Sequence, residues 1–231
     1  MKIVTVVGIR GSGKTTVVEA LTRELIRRGY AVGTVKAVFC PTFHMDKPGS
    51  NTHRHAQAGA CVVTARAAAE TSILYPRPLR PSQLLAHYTD CDWVLCEGDY
   101  ELPAARIVAA HGEKDAAERL NDRTLAVSGL ITNGEERQLN GLPVLHPERD
   151  IAQLADLLIA RVAECGSLEA LDASLRGADI ALSQAYCAQG CRGHAPKPAS
   201  GVRLVVDGKP VTLTAGQKAL LRSWAQGEKD A

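Results

Sequence analysis

The residues Gly8-Ile9-Arg10-Gly11-Ser12-Gly13-Lys14-Thr15 fill the pattern G-x-x-x-x-G-K-[ST]. Those residue types at that spacing bind phosphate. Glycines let successive backbone N–H groups curl around an anion without Cβ clashes. A helix starting at the lysine adds about half a positive charge of dipole at the same point. Lys14 then reaches the β- and γ-phosphates, and the Thr15 hydroxyl ligates Mg²⁺. The expected nucleoside-triphosphate site comprises Gly8, Arg10, Gly11, Ser12, Gly13, Lys14, Thr15 and Thr16, with Lys14 as a catalytic cation.

A phosphate cradle of this kind works beside a carboxylate. Val94-Leu95-Cys96-Glu97-Gly98 is an apolar run that delivers one. Parallel strands place their C-terminal residues at the ligand edge of a sheet. Glu97 is therefore the first candidate to hold Mg²⁺ or to polarise an attacking water, as the second catalytic residue; Asp99 and Glu101 are weaker neighbours. Asp46-Lys47-Pro48-Gly49-Ser50 offers Asp46 as another Mg²⁺ ligand, in a loop placed to sense the γ-phosphate. The same five residues equally make a turn with no further role.

Two histidine-bearing clusters complete the inventory. His53 and His55 are two apart, so on a helix they face different directions and form a solvated polar face rather than a chelating pair. Cys187-x-x-x-Cys191-x-x-His194 has a metal-like composition. A closed zinc site takes four ligands and a cubane iron–sulfur cluster usually takes four thiolates. The cluster supplies three, with Cys165 as a distant fourth, so Zn²⁺ or iron–sulfur binding stands beside free thiols in a loop, the simpler reading.

The elements that must position these residues are legible in outline. Lys2 to Val7 is an apolar, β-branched run that reads as a buried strand. After the loop, Val17, Val18, Leu21, Leu25 and Ile26 mark the inner face of an amphipathic helix, stopped at Gly29. Strands are expected at Ala31–Val38, Cys61–Ala65, Thr71–Tyr75, Asp92–Cys96, Arg106–Ala110 and Thr124–Val127, with an edge strand at Leu142–Leu145. Short helices are expected at Asn51–Ala58 and Gln83–Tyr88, and a charged loop from Gly112 to Arg123. Asp150 reads as the cap of a helix running Ile151 to Glu164.

This alternation implies an α/β fold of the P-loop NTPase kind, a mostly parallel sheet with helices on both faces. Gly166 opens a different composition. Residues 1–165 thus read as a P-loop domain, and 166–231 as a small C-terminal α+β extension. Its parts are the Cys/His loop, a hairpin turning at Asp207-Gly208, and a helix entered through a Thr214-x-x-Gln217 capping box.

Composition narrows the function classes. The net charge of +2 is too small to point to nucleic acid as the main partner. No apolar run approaches the roughly 20 residues of a membrane span. Seven cysteines without an export signal point to reduced thiols and a cytoplasmic location.

The motifs together resemble the molybdopterin-guanine dinucleotide biosynthesis adapter (MobB) family. The resemblance rests on Gly8 to Thr16, Val32-Gly33-Thr34-Val35-Lys36, and Asp46-Lys47-Pro48-Gly49-Ser50 leading through Arg54 and His55 to Ala58-Gly59-Ala60. It continues at Asp92 to Gly98 and Ala105-Arg106-Ile107-Val108. It implies a dimeric, cytoplasmic protein that binds GTP and Mg²⁺ and hydrolyses GTP slowly. Its implied role is to assist the guanylyltransferase that attaches GMP to molybdopterin in molybdenum cofactor biosynthesis. It also implies that Gly11, Gly13, Lys14, Thr15 and Thr16 bind phosphate and Mg²⁺, with Asp46 and Glu97 on the metal side.

The chain departs from the family after Lys36. Members commonly carry His at the next position, within a His-rich loop, where this chain has Ala37-Val38-Phe39-Cys40. Two other readings compete. A P-loop small-molecule kinase would use an Arg-rich lid, for which only Arg77 to Arg80 is available, and its prolines suit a connector. A nucleotide-gated metal chaperone would use Cys187, Cys191 and His194.

Overall fold

The structure, a computed structural model, describes residues 1–40, 42–98, 102–135 and 137–166, and the strands Leu204–Val206 and Lys209–Val211. Five strands form the central sheet: β1 (Lys2–Val7), β2 (Val32–Lys36), β5 (Trp93–Glu97), β6 (Ala105–Ala109) and β7 (Thr124–Ser128). Their order is β2-β5-β1-β6-β7, and every pairing is parallel. The P-loop strand therefore lies at the centre, directly between the Glu97 strand and β6.

Alternation along β1 sends its side chains to two different cores. Val4 and Val6 face α1 (Lys14–Arg27) and α5 (Ile151–Arg161), joining Leu21, Leu25, Trp93, Leu95, Ile107, Leu154 and Leu158. Ile3 points the other way, towards Leu85, Val94 and Cys96. Leu85 ends α3 (Pro81–Leu85), which continues as a single 3₁₀ turn over Ala86–Tyr88. Val7 packs with Val108, Val127 and Ala116, a residue of α4 (Glu113–Ala117). Helices thus cover both faces, as a parallel sheet requires.

Asn51–Gln57 forms α2, and β3 (Val63–Arg66) pairs antiparallel with β4 (Thr71–Leu74) as a ribbon outside the main sheet. Beyond β7 the short strands β8 (Gln138–Leu139) and β9 (Leu142–Pro143) pair with each other, and Val144 bridges to Val127 in parallel. The expected edge strand is thus a brief hairpin plus one bridge.

Three local expectations need correction. Ile26 is 55% exposed, whereas Ala20 and Glu24 turn inward with the apolar face of α1. Glu24 tolerates burial because Arg27 and Arg28 both hydrogen-bond its carboxylate. The charged stretch Gly112–Arg123 contains α4, which buries Ala116. Asp150 occupies the N-cap of α5, but its carboxylate turns back to accept the His146 backbone N–H at 2.8 Å and does not cap the helix.

The chain divides into two compact units, Met1–Gln189 and Gly190–Ala231. In the second, β10 (Leu204–Val206) pairs antiparallel with β11 (Lys209–Val211) around the expected hairpin. The turn residues Asp207 and Gly208 lie outside the described residues, as do the Thr214 helix and the sequence-based boundary's C-terminal side from 167 to 203.

Candidate functional site

The chain leaves β1 as a loop because Gly8 stands where no side chain fits. A Cβ there would lie 2.0 Å from the Ala109 carbonyl oxygen and 2.6 Å from Ser12 Oγ. Five residues on, Gly13 caps α1 with φ of 95°, a left-handed conformation that only glycine adopts without strain. The loop is braced by the turn after β7. Leu130 N–H donates to Ser12 O at 3.2 Å, and a Cβ on Gly129 would meet that same oxygen at 2.2 Å. This contact ties the loop's backbone to the turn after β7.

Inside the loop, Lys14 Nζ donates to Gly8 O at 2.9 Å and Ile9 O at 2.6 Å. Partial burial holds its ammonium pKa below the ordinary value; Glu97 opposes that shift, while Lys36 and Arg119 reinforce it. Ser12 Oγ is buried and has no hydrogen-bond partner among the described residues. Arg10 is exposed at the rim, and Thr16 is exposed at the start of α1.

Glu97 ends β5 in register with Val6 of β1 and Lys36 of β2. It is 8% exposed, and its Oε1 accepts the Thr15 hydroxyl at 2.9 Å. The same oxygen takes the ammonium of Lys36. Loop, carboxylate strand and neighbouring strand therefore converge on one carboxylate. A groove of about 390 Å³ opens beside them, lined by Thr15, Val18, Thr34, Val35, Lys36 and Glu97 among others. A larger cavity of about 550 Å³ lies at the opposite sheet edge, by Ile3, Ala105, Arg123 and Arg161.

Asp46 is placed differently. It accepts the Ser50 hydroxyl at 2.8 Å, and Ser50 in turn caps α2 by accepting His53 N–H at 3.0 Å. Hydrogen bonds from Thr52 and Ser50 hold the Asp46 carboxyl below its ordinary pKa. Among the described residues, no hydrogen bond or ion pair joins Asp46 to Lys14, Thr15 or Glu97. His53 is occupied in the same turn, where its Nδ1 accepts Gly49 N–H at 3.3 Å. Arg77 lies 5.9 Å from the Tyr75 ring and donates to Pro78 O and Gln83 Oε1, as a connector into α3 does. Asp99, Glu101, Cys187, Cys191 and His194 lie outside the described residues.

Sequence reasoning missed three contributors. Lys36 falls within an expected strand and a segment of the family resemblance, with no role at the site, and Gly129 and His111 fall in no expected element or motif. His111 follows β6, and its Nε2 lies 3.7 Å from where a Gly11 Cβ would stand. Its backbone N–H donates to Asp115, which also pairs with Arg119 at 2.7 Å. The available signal was positional, since each follows or ends a parallel strand at the loop's edge of the sheet.

The donor set suits the ligands that the loop implies. A hydroxyl and a carboxylate are the hard oxygen donors Mg²⁺ takes, usually with phosphates and waters completing its shell. The unpartnered Ser12 hydroxyl and the Cβ-free cradle at Gly8 and Gly13 suit a phosphate. Among the described residues, no group of three His, Cys, Asp or Glu forms a self-sufficient metal site.

Comparison with known proteins agrees with this geometry. The family profile described as Molybdopterin guanine dinucleotide synthesis protein B (MobB) matches residues 3–133. A Bacillus subtilis (strain 168) protein named as a probable molybdopterin-guanine dinucleotide biosynthesis adapter is 29% identical over 161 residues, 65% of this chain and 88% of that protein. The crystal structure of Bacillus subtilis MobB superposes with a TM-score of 0.54 at 25% identity, covering 71% of this chain and 100% of its own. A MobB homologue from Bacillus stearothermophilus gives 0.52 at 26% identity, over 70% of this chain and 100% of its own.

Proposed function

Because the chain belongs to the molybdopterin guanine dinucleotide synthesis protein B family, we propose that it is a GTP-binding adapter for guanylylation of molybdopterin in molybdenum cofactor biosynthesis. The observation that carries the nucleotide reading is the Thr15–Glu97 hydrogen bond of 2.9 Å, which ties the phosphate loop to the carboxylate strand.

In this reading the N–H groups of Gly11 to Thr16 and the Arg10 rim receive the phosphates. Lys14 exchanges the Gly8 and Ile9 carbonyls for phosphate oxygens, and its partial burial strengthens that contact. Thr15 and Glu97 would hold Mg²⁺, which neutralises phosphate charge when bound. Asp46 joins them only if its turn opens, since its carboxylate already serves Ser50. Glu97 is also placed to orient a water for the slow GTP hydrolysis that we propose. The guanine preference, the homodimer, the cytoplasmic location and the guanylyltransferase and molybdopterin partners come from the family resemblance. No described helix is long and apolar enough to cross a membrane.

Residues 1–165 carry this function in our proposal. The extension from 166 to 231 contributes Cys187, Cys191 and His194, for which Zn²⁺ or an iron–sulfur cluster is a secondary proposal. The test is reconstitution of the guanylyltransferase with molybdopterin, GTP and MgCl₂, with and without this chain. Dinucleotide formation should rise with the chain present and fall back with Lys14→Ala. Equal yields in all three mixtures would contradict the adapter role.

A further inference from the structure

Lys36 lies outside the phosphate loop, yet its ammonium shares Glu97 Oε1 with the Thr15 hydroxyl. The two residues stand directly opposite each other at the ends of β2 and β5. Their side chains differ in exposure, 58% for Lys36 and 10% for Glu97. A buried carboxylate needs a cationic or hydrogen-bonding partner. Lys14 acts on Glu97 through its charge alone, since its Nζ hydrogen bonds among the described residues go to Gly8 and Ile9.

A metal ion held by Thr15 and Glu97 would compete with Lys36 for the same carboxylate. Mg²⁺ binds carboxylate oxygens at about 2.1 Å in a strict octahedron. An ammonium on that carboxylate and a divalent ion repel each other and compete for the same space. Lysine is a strongly hydrated point charge on a flexible stem, so it can leave without backbone movement. The backbone beneath it stays paired, since Ala37 N–H donates to Glu97 O at 2.8 Å. The groove beside Thr15 and Glu97 gives the freed side chain a place to go.

The geometry points to Lys36 as a placeholder cation, which neutralises Glu97 while no divalent ion is bound and must be displaced from it when Mg²⁺·nucleotide enters. This rests on the Mg²⁺–nucleotide reading of the same site. Lys36 is thus a positioning residue that sets how much Mg²⁺ the site requires.

The test is calorimetric titration of GTP into the full chain across a series of MgCl₂ concentrations. Lys36→Met should reach half-maximal GTP binding at about fivefold less Mg²⁺ than the unsubstituted chain, the worth of one half-exposed ion pair. Lys36→Arg, which keeps the charge, should need at least as much Mg²⁺ as the unsubstituted chain. In a Glu97→Gln background, Lys36→Met should shift nothing, because the contact it removes is already gone. An unchanged or higher Mg²⁺ requirement in Lys36→Met overturns the placeholder role, as does weaker GTP binding at saturating Mg²⁺, which would make Lys36 a phosphate ligand. If the unsubstituted chain takes up no GTP at any Mg²⁺ concentration, the nucleotide reading itself falls and this one with it.

Discussion

At the residue scale, the site is a contest for a few polar atoms. Lys14 holds two loop carbonyls, Lys36 and Thr15 share one carboxylate oxygen, and Ser12 Oγ has no partner among the described residues. The loop itself was legible because its chemistry is written in eight consecutive residues, and Glu97 because an apolar strand announces it. Lys36, Gly129 and His111 were not, because they reach the loop only through the spatial order of strands far apart in sequence. Gly129 gives the sharpest test of that unseen support. Its φ of 85° and a Cβ only 2.2 Å from Ser12 O leave no room for alanine. Gly129→Ala should cost about 2 kcal/mol, lower Tm by about 5 °C, and weaken GTP binding by displacing the loop. An unchanged thermal melt would mean that the turn after β7 does not brace the loop.

At the scale of elements, α1 couples the loop to the core. Its inner face meets α5 and the sheet, and its last turn binds Glu24 between Arg27 and Arg28. Those hydrogen bonds lower the Glu24 pKa from 4.5 to about 2. A depressed carboxylate pKa stabilises the fold fully above the unfolded value, and that contribution disappears as pH falls through the folded one. Melting temperatures of the unsubstituted chain and Glu24→Gln should therefore differ at pH 6 and converge between pH 4.5 and 2. A gap that stays constant down to pH 2 would show that the carboxylate charge is not the source.

The same helix shows what periodicity hides. Ile26 matched the apolar pattern but faces solvent, while Glu24 lies buried because neighbouring arginines pair with it. Pattern reading assigns faces by hydrophobicity, and here ion pairing decided. The five-residue helix α4 escaped detection because a charged run that short carries almost no helical period. Asp150 had the right type for a cap, but its carboxylate bonds His146 instead.

At the scale of the molecule, alternating strand and helix patterns foretold a parallel α/β sheet, but not its order β2-β5-β1-β6-β7. That order matters most for function, because it sets the Glu97 strand immediately beside the P-loop strand and β2 immediately beyond it. Local sequence does not encode it; the connections and the pairing of apolar faces do. The family match over residues 3–133 spans the elements that build this arrangement. In our proposal they form a Mg²⁺-dependent guanine nucleotide site. Calorimetric titration of the full chain with GTP and with ATP in MgCl₂, with Lys14→Ala as control, tests it most directly. Binding should saturate, favour GTP over ATP, and disappear in Lys14→Ala. Equal uptake of both nucleotides, or GTP binding that survives in Lys14→Ala, would contradict it.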